Sequence, residues 1–216
     1  MKKTEIPVGA LHKQTINMDI VQHLSTDKKL GALIAKQEPI VLQKQKNIYL
    51  YICFSIISQQ LSTRVAAIIQ ERFIGLYKKR RPTLQEISST PFDVLKSIGL
   101  SASKTQYVLN VCAFFTEHKI TDGMLEKMTD EDIIQLLTGI KGVGRWTVEM
   151  ILMFAMGRSD VFAVDDLGIQ QQMSKIYGID VVNKKAMKLE MLAIAESWRP
   201  YRTYACRYLW NGKDKG

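Results

Sequence analysis

Two glycines, Gly142 and Gly144, lie one residue apart between two apolar segments of helical period. Glycine adopts positive φ without steric cost and leaves no Cβ in the path of an approaching group. At the start of a helix, the backbone N–H groups of such a turn form a cradle for an anion such as a DNA phosphate. Lys141 and Arg145 flank the turn and add positive charge. The Gly-x-Gly pattern alone is a weak signal, because a plain tight turn between two helices would look the same.

Two adjacent carboxylates, Asp165 and Asp166, follow an apolar loop and precede another helical segment. Aspartate is a common helix N-cap, so one role for either residue is structural. The alternative is a carboxylate held in apolar surroundings, where it stabilises positive charge that develops during a reaction. The residues by themselves leave both roles open.

Helices must position these residues, because apolar residues recur at intervals near 3.6 and strand-like alternation is hard to find. A capping box at Thr83 and a second cap at Thr129 mark helix starts. Around the glycine pair, one helix is expected to end near Leu137 and the next to begin near Arg145 or Trp146. Many short helices separated by brief breaks predict an all-α fold.

The composition narrows the class of protein. The 216 residues carry 30 Lys and Arg against 21 Asp and Glu, a formal net charge of +9, which suits nucleic acid, although many basic proteins bind none. The longest strongly apolar stretch, residues 48–57, is shorter than the roughly 20 residues that span a membrane. The first residues lack the apolar core of a signal peptide. We therefore expect an intracellular protein, cytoplasmic or at the nucleoid if bacterial, with no membrane partner.

The three cysteines, Cys53, Cys112 and Cys206, are far apart in the chain and form no Cys-x-x-Cys pair. This spacing suggests neither a disulfide framework nor a zinc or iron–sulfur site. Cys53 lies among apolar neighbours and is interpreted as a small core residue.

Taken together, two segments resemble the helix-hairpin-helix (HhH-GPD) DNA glycosylase superfamily, and within it the 3-methyladenine DNA glycosylase II (alkylpurine) branch. They are residues 140–146, IKGVGRW, and residues 161–169, VFAVDDLGI. Residues 54–62, 98–104 and 195–210 are similar to further family segments, so that the resemblance spans roughly residues 45–211.

The resemblance implies a monofunctional glycosylase that flips alkylated purines, such as 3-methyladenine and 7-methylguanine, out of double-stranded DNA and hydrolyses the N-glycosidic bond in base excision repair. In the family, the aspartate corresponding to Asp166 does the chemistry, and Asp165 is a cap or an orienting neighbour. Members that also nick the backbone carry a lysine two residues after the second hairpin glycine, where it forms a Schiff base. Trp146 occupies that position here, so no lyase activity is expected.

The resemblance also implies binding residues. Trp146 and Trp198 would line the base pocket, where an aromatic face attracts a cationic base; packing in the core is the alternative for each. Gln60, or Leu61, would be the wedge that fills the gap left by the flipped base. The residues implied to contact DNA are Gln60, Leu61, Lys141, Gly142, Val143, Gly144 and Arg145.

Family hairpins bind one monovalent cation, Na⁺ or K⁺, through backbone carbonyls when DNA is bound. The matching positions are Thr138, Ile140 and Val143, and carbonyl ligands leave no side-chain signature in a sequence. No other cofactor is implied, and iron–sulfur relatives need four clustered cysteines that this sequence lacks.

The expected architecture is an all-α, two-lobed fold with a central cleft and no N-terminal β domain. Residues 41–158 would form the lobe that carries the hairpin. Residues 1–40 and 159–216 would form the second lobe, which carries Asp166 and begins with a helix or two around residues 20–34. Asp166 would face Trp146 across the cleft, and a monomer is expected.

Other functions stay open at this point. The chain could be a glycosylase for another lesion, such as hypoxanthine, ethenoadenine or an oxidised base. It could also be a non-catalytic helix-hairpin-helix protein that binds DNA damage, because an aspartate that only caps a helix would look the same. A basic helical interaction protein with no DNA role is the remotest alternative.

Overall fold

The computed structural model describes residues 18–213, and every regular element within that range is a helix. The all-α prediction is confirmed. No helix in this range is long and apolar enough to cross a membrane. The helices are α1 (Met18–Leu24), α2 (Lys28–Ile34), α3 (Ile48–Ser58), α4 (Thr63–Gly75), α5 (Leu84–Ser88), α6 (Phe92–Ser97), α7 (Ala102–Glu117), α8 (Asp122–Lys127), α9 (Asp130–Thr138), α10 (Arg145–Phe154), α11 (Leu167–Tyr177), α12 (Lys184–Glu196) and α13 (Arg202–Lys213).

Local capping sets where several helices begin. The Thr83 hydroxyl accepts the N–H of Glu86, whose carboxylate accepts the N–H of Thr83 in return, as the capping box predicts. The Thr129 hydroxyl accepts a hydrogen bond from the N–H of Asp132 and starts α9. Such caps satisfy N–H groups that the first helical turn leaves without a partner.

Residues Leu42–Leu167 form one compact unit, which contains α3 to α10. Within it, α7 packs against α3, α5 and α6. Cys53 on α3 is fully buried, as predicted. The Asp122 carboxylate accepts the N–H groups of Asn47 and Ile48 at 2.6 and 3.1 Å, so α8 caps the start of α3.

The described residues 18–41 and 168–213 form the other compact unit, in which α2 packs against α1 and α13. The helices α1 and α2 match the helix or two expected around residues 20–34. Asp27 lies at the centre of this unit's polar contacts. Its carboxylate caps α2 and also accepts hydrogen bonds from the Tyr177 hydroxyl at 2.7 Å and the Trp198 indole at 3.0 Å.

This division differs from the predicted one. The predicted boundary between residues 158 and 159 would separate Asp166 from the glycine hairpin, whereas the structure groups Asp166 with the hairpin. The reason is that the loop after α10 stays attached to that helix. The N–H of Arg158 donates to the carbonyl of Leu152 at 2.9 Å, and Asp166 is bonded to the first turn of α10.

Candidate active site and nucleic-acid interface

The hairpin between α9 and α10 has the two ends that the sequence predicts, since α9 ends at Thr138 and α10 begins at Arg145. The two glycines have different reasons to be there. Gly142 has φ +104°, and a Cβ at this position would overlap the side chain of Tyr107 on α7. Gly144 has φ −95°, and a Cβ there would meet no other group within 4 Å. Gly142 therefore shapes the turn, whereas Gly144 leaves its outer surface clear.

The start of α10 can hold an anion. Gly144 is its N-cap and provides no side-chain acceptor, so the first N–H groups of α10 keep their capacity to donate. The positive end of the helix dipole adds to their attraction for a phosphate. Lys141 is exposed next to this turn, and its carbonyl accepts a hydrogen bond from the Asn110 amide at 3.2 Å. The hairpin thus combines exposed backbone donors with a neighbouring cation.

Arg145, which is predicted to contact DNA, has two carboxylate partners within the protein. Its guanidinium donates to both carboxylate oxygens of Glu131 on α9, at 3.0 and 2.9 Å, and to Glu149 at 3.2 Å. A bidentate arginine–carboxylate pair fixes geometry as well as charge. Arg145 therefore joins the two helices of the hairpin, and its charge is partly compensated within the protein. Its side chain stays half-exposed, and its contact with a phosphate stays a prediction.

Trp146 and Asp166 are brought together. The indole Nε1–H of Trp146 donates to Oδ2 of Asp166 at 2.9 Å, across 20 residues of sequence. Trp146 is 41% exposed although it is a large aromatic residue, and Asp166 is half-buried. Val161, Phe162 and Ala163, which precede the aspartate, are buried. A carboxylate is thereby held in a defined orientation beside an accessible aromatic surface.

Glu149 is a site residue that the sequence reasoning missed. It lies one turn after Trp146 on α10, with only 4% of its surface exposed and no hydrogen-bond partner for Oε2 among the described residues. Burial, with a smaller contribution from the nearby Asp165, raises the pKa of Glu149 from its ordinary value of 4.5 to about 7, against the opposing effect of Arg145. The available signal was a carboxylate between the apolar residues Val148 and Ile151.

The implied wedge residues lie in the short turn between α3 and α4. Gln60 is exposed and has φ +58°, a conformation that side chains other than glycine seldom adopt. Leu61 follows it and is half-buried. The Gln59 amide nitrogen lies 3.5 Å from the carbonyl oxygen of Gly142, which brings this turn next to the glycine hairpin.

Trp198 requires a correction. Only 1% of its surface is exposed, and its indole donates to Asp27 in the core of its own unit. Although burial acts to raise the pKa of Asp27, hydrogen bonds from Trp198 and Tyr177 lower it below its ordinary value. The charged carboxylate of Asp27 therefore holds the Trp198 indole by a hydrogen bond. The structure favours the packing role for Trp198, because an enclosed indole presents no face to a base.

The three carbonyls implied for a monovalent cation lie where α9 gives way to the hairpin turn. The Thr138 residue ends α9, and the Ile140 carbonyl accepts the N–H of Val143 at 3.0 Å while keeping a second lone pair. The negative end of the α9 dipole favours a cation here. Backbone carbonyl oxygens are suitable ligands for Na⁺ or K⁺, and the binding of such an ion stays a prediction.

A comparison with known proteins matches the part of the chain that contains the glycine hairpin and Asp166. A family model described as "HhH-GPD superfamily base excision DNA repair protein" matches residues 53–200. The DNA-3-methyladenine glycosylase 1 of Schizosaccharomyces pombe is 32% identical over 185 residues, covering 85% of this chain and 80% of that protein.

Two solved structures have the same fold. A 3-methyladenine DNA glycosylase of fission yeast in complex with abasic DNA has a TM-score of 0.77 and 31% identity, covering 89% of this chain and 95% of that one. A DNA-3-methyladenine glycosidase of Bacillus halodurans has a TM-score of 0.79 and 29% identity, covering 91% and 89%. The chain belongs to the HhH-GPD superfamily of base excision DNA repair proteins.

Proposed function

We propose that this protein is a monofunctional DNA glycosylase that removes alkylated purines from double-stranded DNA in base excision repair, with Asp166 as its catalytic carboxylate. The observation that carries the proposal is the 2.9 Å hydrogen bond between Trp146 and Asp166 at the first turn of the hairpin helix. The names of the relatives, DNA-3-methyladenine glycosylases, support the substrate class.

The hairpin would hold the DNA backbone. The N–H groups at the start of α10 face a surface that Gly144 leaves clear, and Lys141 contributes charge there. An enzyme that acts on a base must first rotate it out of the stack, so phosphates on both sides of the lesion have to be held. A monovalent cation on the carbonyls of Thr138, Ile140 and Val143 would add a phosphate contact.

The chemistry is hydrolysis. As the bond between the sugar C1′ and the purine nitrogen breaks, the electron pair leaves with the base and positive charge develops on the sugar. The carboxylate of Asp166, oriented by the Trp146 N–H, stabilises that charge more strongly in a partly dehydrated site than water does. A cationic alkylpurine departs as a neutral base. Water adds its oxygen to C1′, and the proton that the water loses passes to the Asp166 carboxylate or to solvent. Trp146 provides no amine for a Schiff base, so the strand stays intact.

The experiment is the release of bases from methylated duplex DNA, with products separated by chromatography and strands checked for nicks before alkali. We expect release of 3-methyladenine, no release of undamaged purines and no nicks. Nicked strands would contradict the monofunctional assignment. Binding of methylated DNA without release of any base would favour the non-catalytic damage-binding function instead.

Substrate preference tests the role of Trp146. Its exposed face would attract a cationic base by a cation–π interaction worth about 1 kcal/mol. We expect Trp146→Phe, which keeps a ring, to release 7-methylguanine faster than Trp146→Ala by about fivefold. Hypoxanthine, which is neutral, should separate the two variants less. Equal losses on both bases and on binding to plain duplex would show that Trp146 is only structural.

A further inference from the structure

The side chain of Lys104 reaches from α7 to the end of α3. Its ammonium donates to the carbonyl of Ile57 at 2.9 Å and to that of Gln59 at 2.6 Å. The last carbonyls of a helix have no partner within the helix, and a cation is favoured at that end by the helix dipole. Lys104 therefore caps α3 immediately before the exposed Gln60.

The turn that Lys104 caps needs such support. Gln60 has φ +58°, in the left-handed region that is unfavourable for a residue with a Cβ. The N–H of Leu61 donates to the carbonyl of Ser58 at 3.2 Å, which closes the turn but does not anchor it to another helix. A strained conformation persists only where its surroundings enforce it, and Lys104 provides a contact from outside the turn.

The same helix also supports the glycine hairpin. Tyr107 packs beneath Gly142, and the Asn110 amide donates to the carbonyl of Lys141 at 3.2 Å. Lys104, Tyr107 and Asn110 follow one another at three-residue intervals, so they project from the same side of α7. One rigid helix thus contacts both the turn that carries Gln60 and the turn that is suited to phosphates.

We propose that Lys104 is a positioning residue for base flipping: by holding the carbonyls of Ile57 and Gln59 it fixes the Gln60 turn relative to the glycine hairpin. This inference rests on the proposed function. A phosphate held at the hairpin and a side chain inserted into the base stack must keep a set separation, since a displacement of about 1 Å can cost a hundredfold in rate. An unanchored turn would still bind DNA through the hairpin but would fill the vacated space poorly.

The test compares Lys104→Met with Lys96→Met, which removes the same charge from an exposed lysine on α6. For each, we would measure the affinity for undamaged duplex and for a duplex with a stable abasic-site analogue, together with single-turnover release of 3-methyladenine. We expect Lys104→Met to lower the preference for the abasic duplex by about tenfold and to slow release at least as much. Affinity for undamaged duplex should match that of Lys96→Met.

A double-mutant cycle with Gln60→Ala identifies the route of the effect. If Lys104 acts through the Gln60 turn, the second substitution should add little to the first, because contacting residues are not additive. Lys104→Arg, which keeps a cation near both carbonyls, should recover part of the preference. Additive effects, or a loss of preference no larger than that of Lys96→Met, would overturn the proposal.

The two proposals fail in different ways. The preference for the abasic duplex is measured without any chemistry, so it tests Lys104 even if the wild-type chain releases no base. A wild-type chain that releases no alkylated base would contradict the proposed function. A wild-type chain without any preference for the abasic duplex would contradict the positioning role. A variant that unfolds at lower denaturant but keeps the preference would show that Lys104 stabilises the fold only.

Discussion

Burial and the neighbouring Arg145 have opposite effects on the pKa of the Glu149 carboxyl group. Its Oε1 accepts a hydrogen bond from Arg145 at 3.2 Å, while its Oε2 has no partner among the described residues. Burial is the dominant influence and raises its pKa from 4.5 to about 7. A carboxyl group that is harder to ionise in the folded protein than in the unfolded chain makes folding less favourable as pH rises between those two values.

A pH series on the unfolding free energy checks this assignment. Because its folded-state pKa is raised, Glu149 contributes stability that is present below about pH 4.5 and is lost as pH rises through about 7. Glu149→Gln cannot ionise, so we expect its stability relative to wild type to increase steadily between about pH 5 and about pH 8. Asp160→Asn, which removes a carboxylate from the loop that follows α10, is the control. A difference between Glu149→Gln and wild type that does not change with pH would contradict the assignment.

Some residue roles could not have been predicted from the sequence. The buried indole of Trp198 donates to Asp27, which is 171 residues away in the sequence. The ammonium of Lys104 donates to two carbonyls that are 45 and 47 residues away. Arg145 is paired with Glu131 across 14 residues, on the other helix of the hairpin. Such partners are set by packing between helices, which a local pattern does not contain. The proximity of Trp146 and Asp166 was predicted only because the family resemblance implied it; the local sequence around either residue does not.

At the scale of elements, the glycine hairpin depends on two glycines with separable roles. Gly142 needs its positive φ and has the ring of Tyr107 where a Cβ would lie, whereas Gly144 has neither constraint. The hairpin's helix ends were predictable because caps and glycines are local signals, as at Thr129. The packing of α7 against the turn was not predictable, because nothing near Tyr107 in the sequence specifies it.

Paired alanine substitutions separate these roles. We expect Gly142→Ala to lower the unfolding free energy by about 3 kcal/mol, through left-handed strain and overlap with Tyr107. Gly144→Ala should change stability by less than about 0.5 kcal/mol. It should nevertheless weaken binding to undamaged duplex by at least about fivefold, because a methyl group then projects into the space left for a phosphate. Denaturant melts and binding titrations on both variants give the answer. Equal effects of the two on stability would contradict this division.

At the scale of the whole molecule, the formal net charge of +9 favours association with a polyanion. Individual basic residues contribute unequally, since Arg145 is engaged by two carboxylates while Lys141 is exposed beside the hairpin. The positive net charge predicted a negatively charged partner, but composition alone does not show which basic side chains are already paired with carboxylates in the protein. Net charge alone therefore overstates the number of phosphate contacts.

Salt dependence measures the contribution of Lys141. Each phosphate contact adds about 0.9 to the magnitude of the slope of log affinity against log salt concentration. We expect Lys141→Met to reduce the magnitude of that slope by about 0.9 on undamaged duplex, which corresponds to the loss of one phosphate contact. Lys127→Met, at an exposed lysine that ends α8, should leave the slope unchanged. A Lys141→Met variant with the wild-type slope would remove this lysine from the interface.

The central claim is that the carboxylate of Asp166 drives cleavage of the glycosidic bond. Asp166→Asn and Asp165→Asn remove the same charge from adjacent residues, so single-turnover release of 3-methyladenine from methylated duplex by both variants is the direct measurement. We predict that Asp166→Asn loses at least about a hundredfold in rate while folding and duplex affinity are retained, and that Asp165→Asn loses less than about tenfold. Release by Asp166→Asn at the wild-type rate would contradict the account.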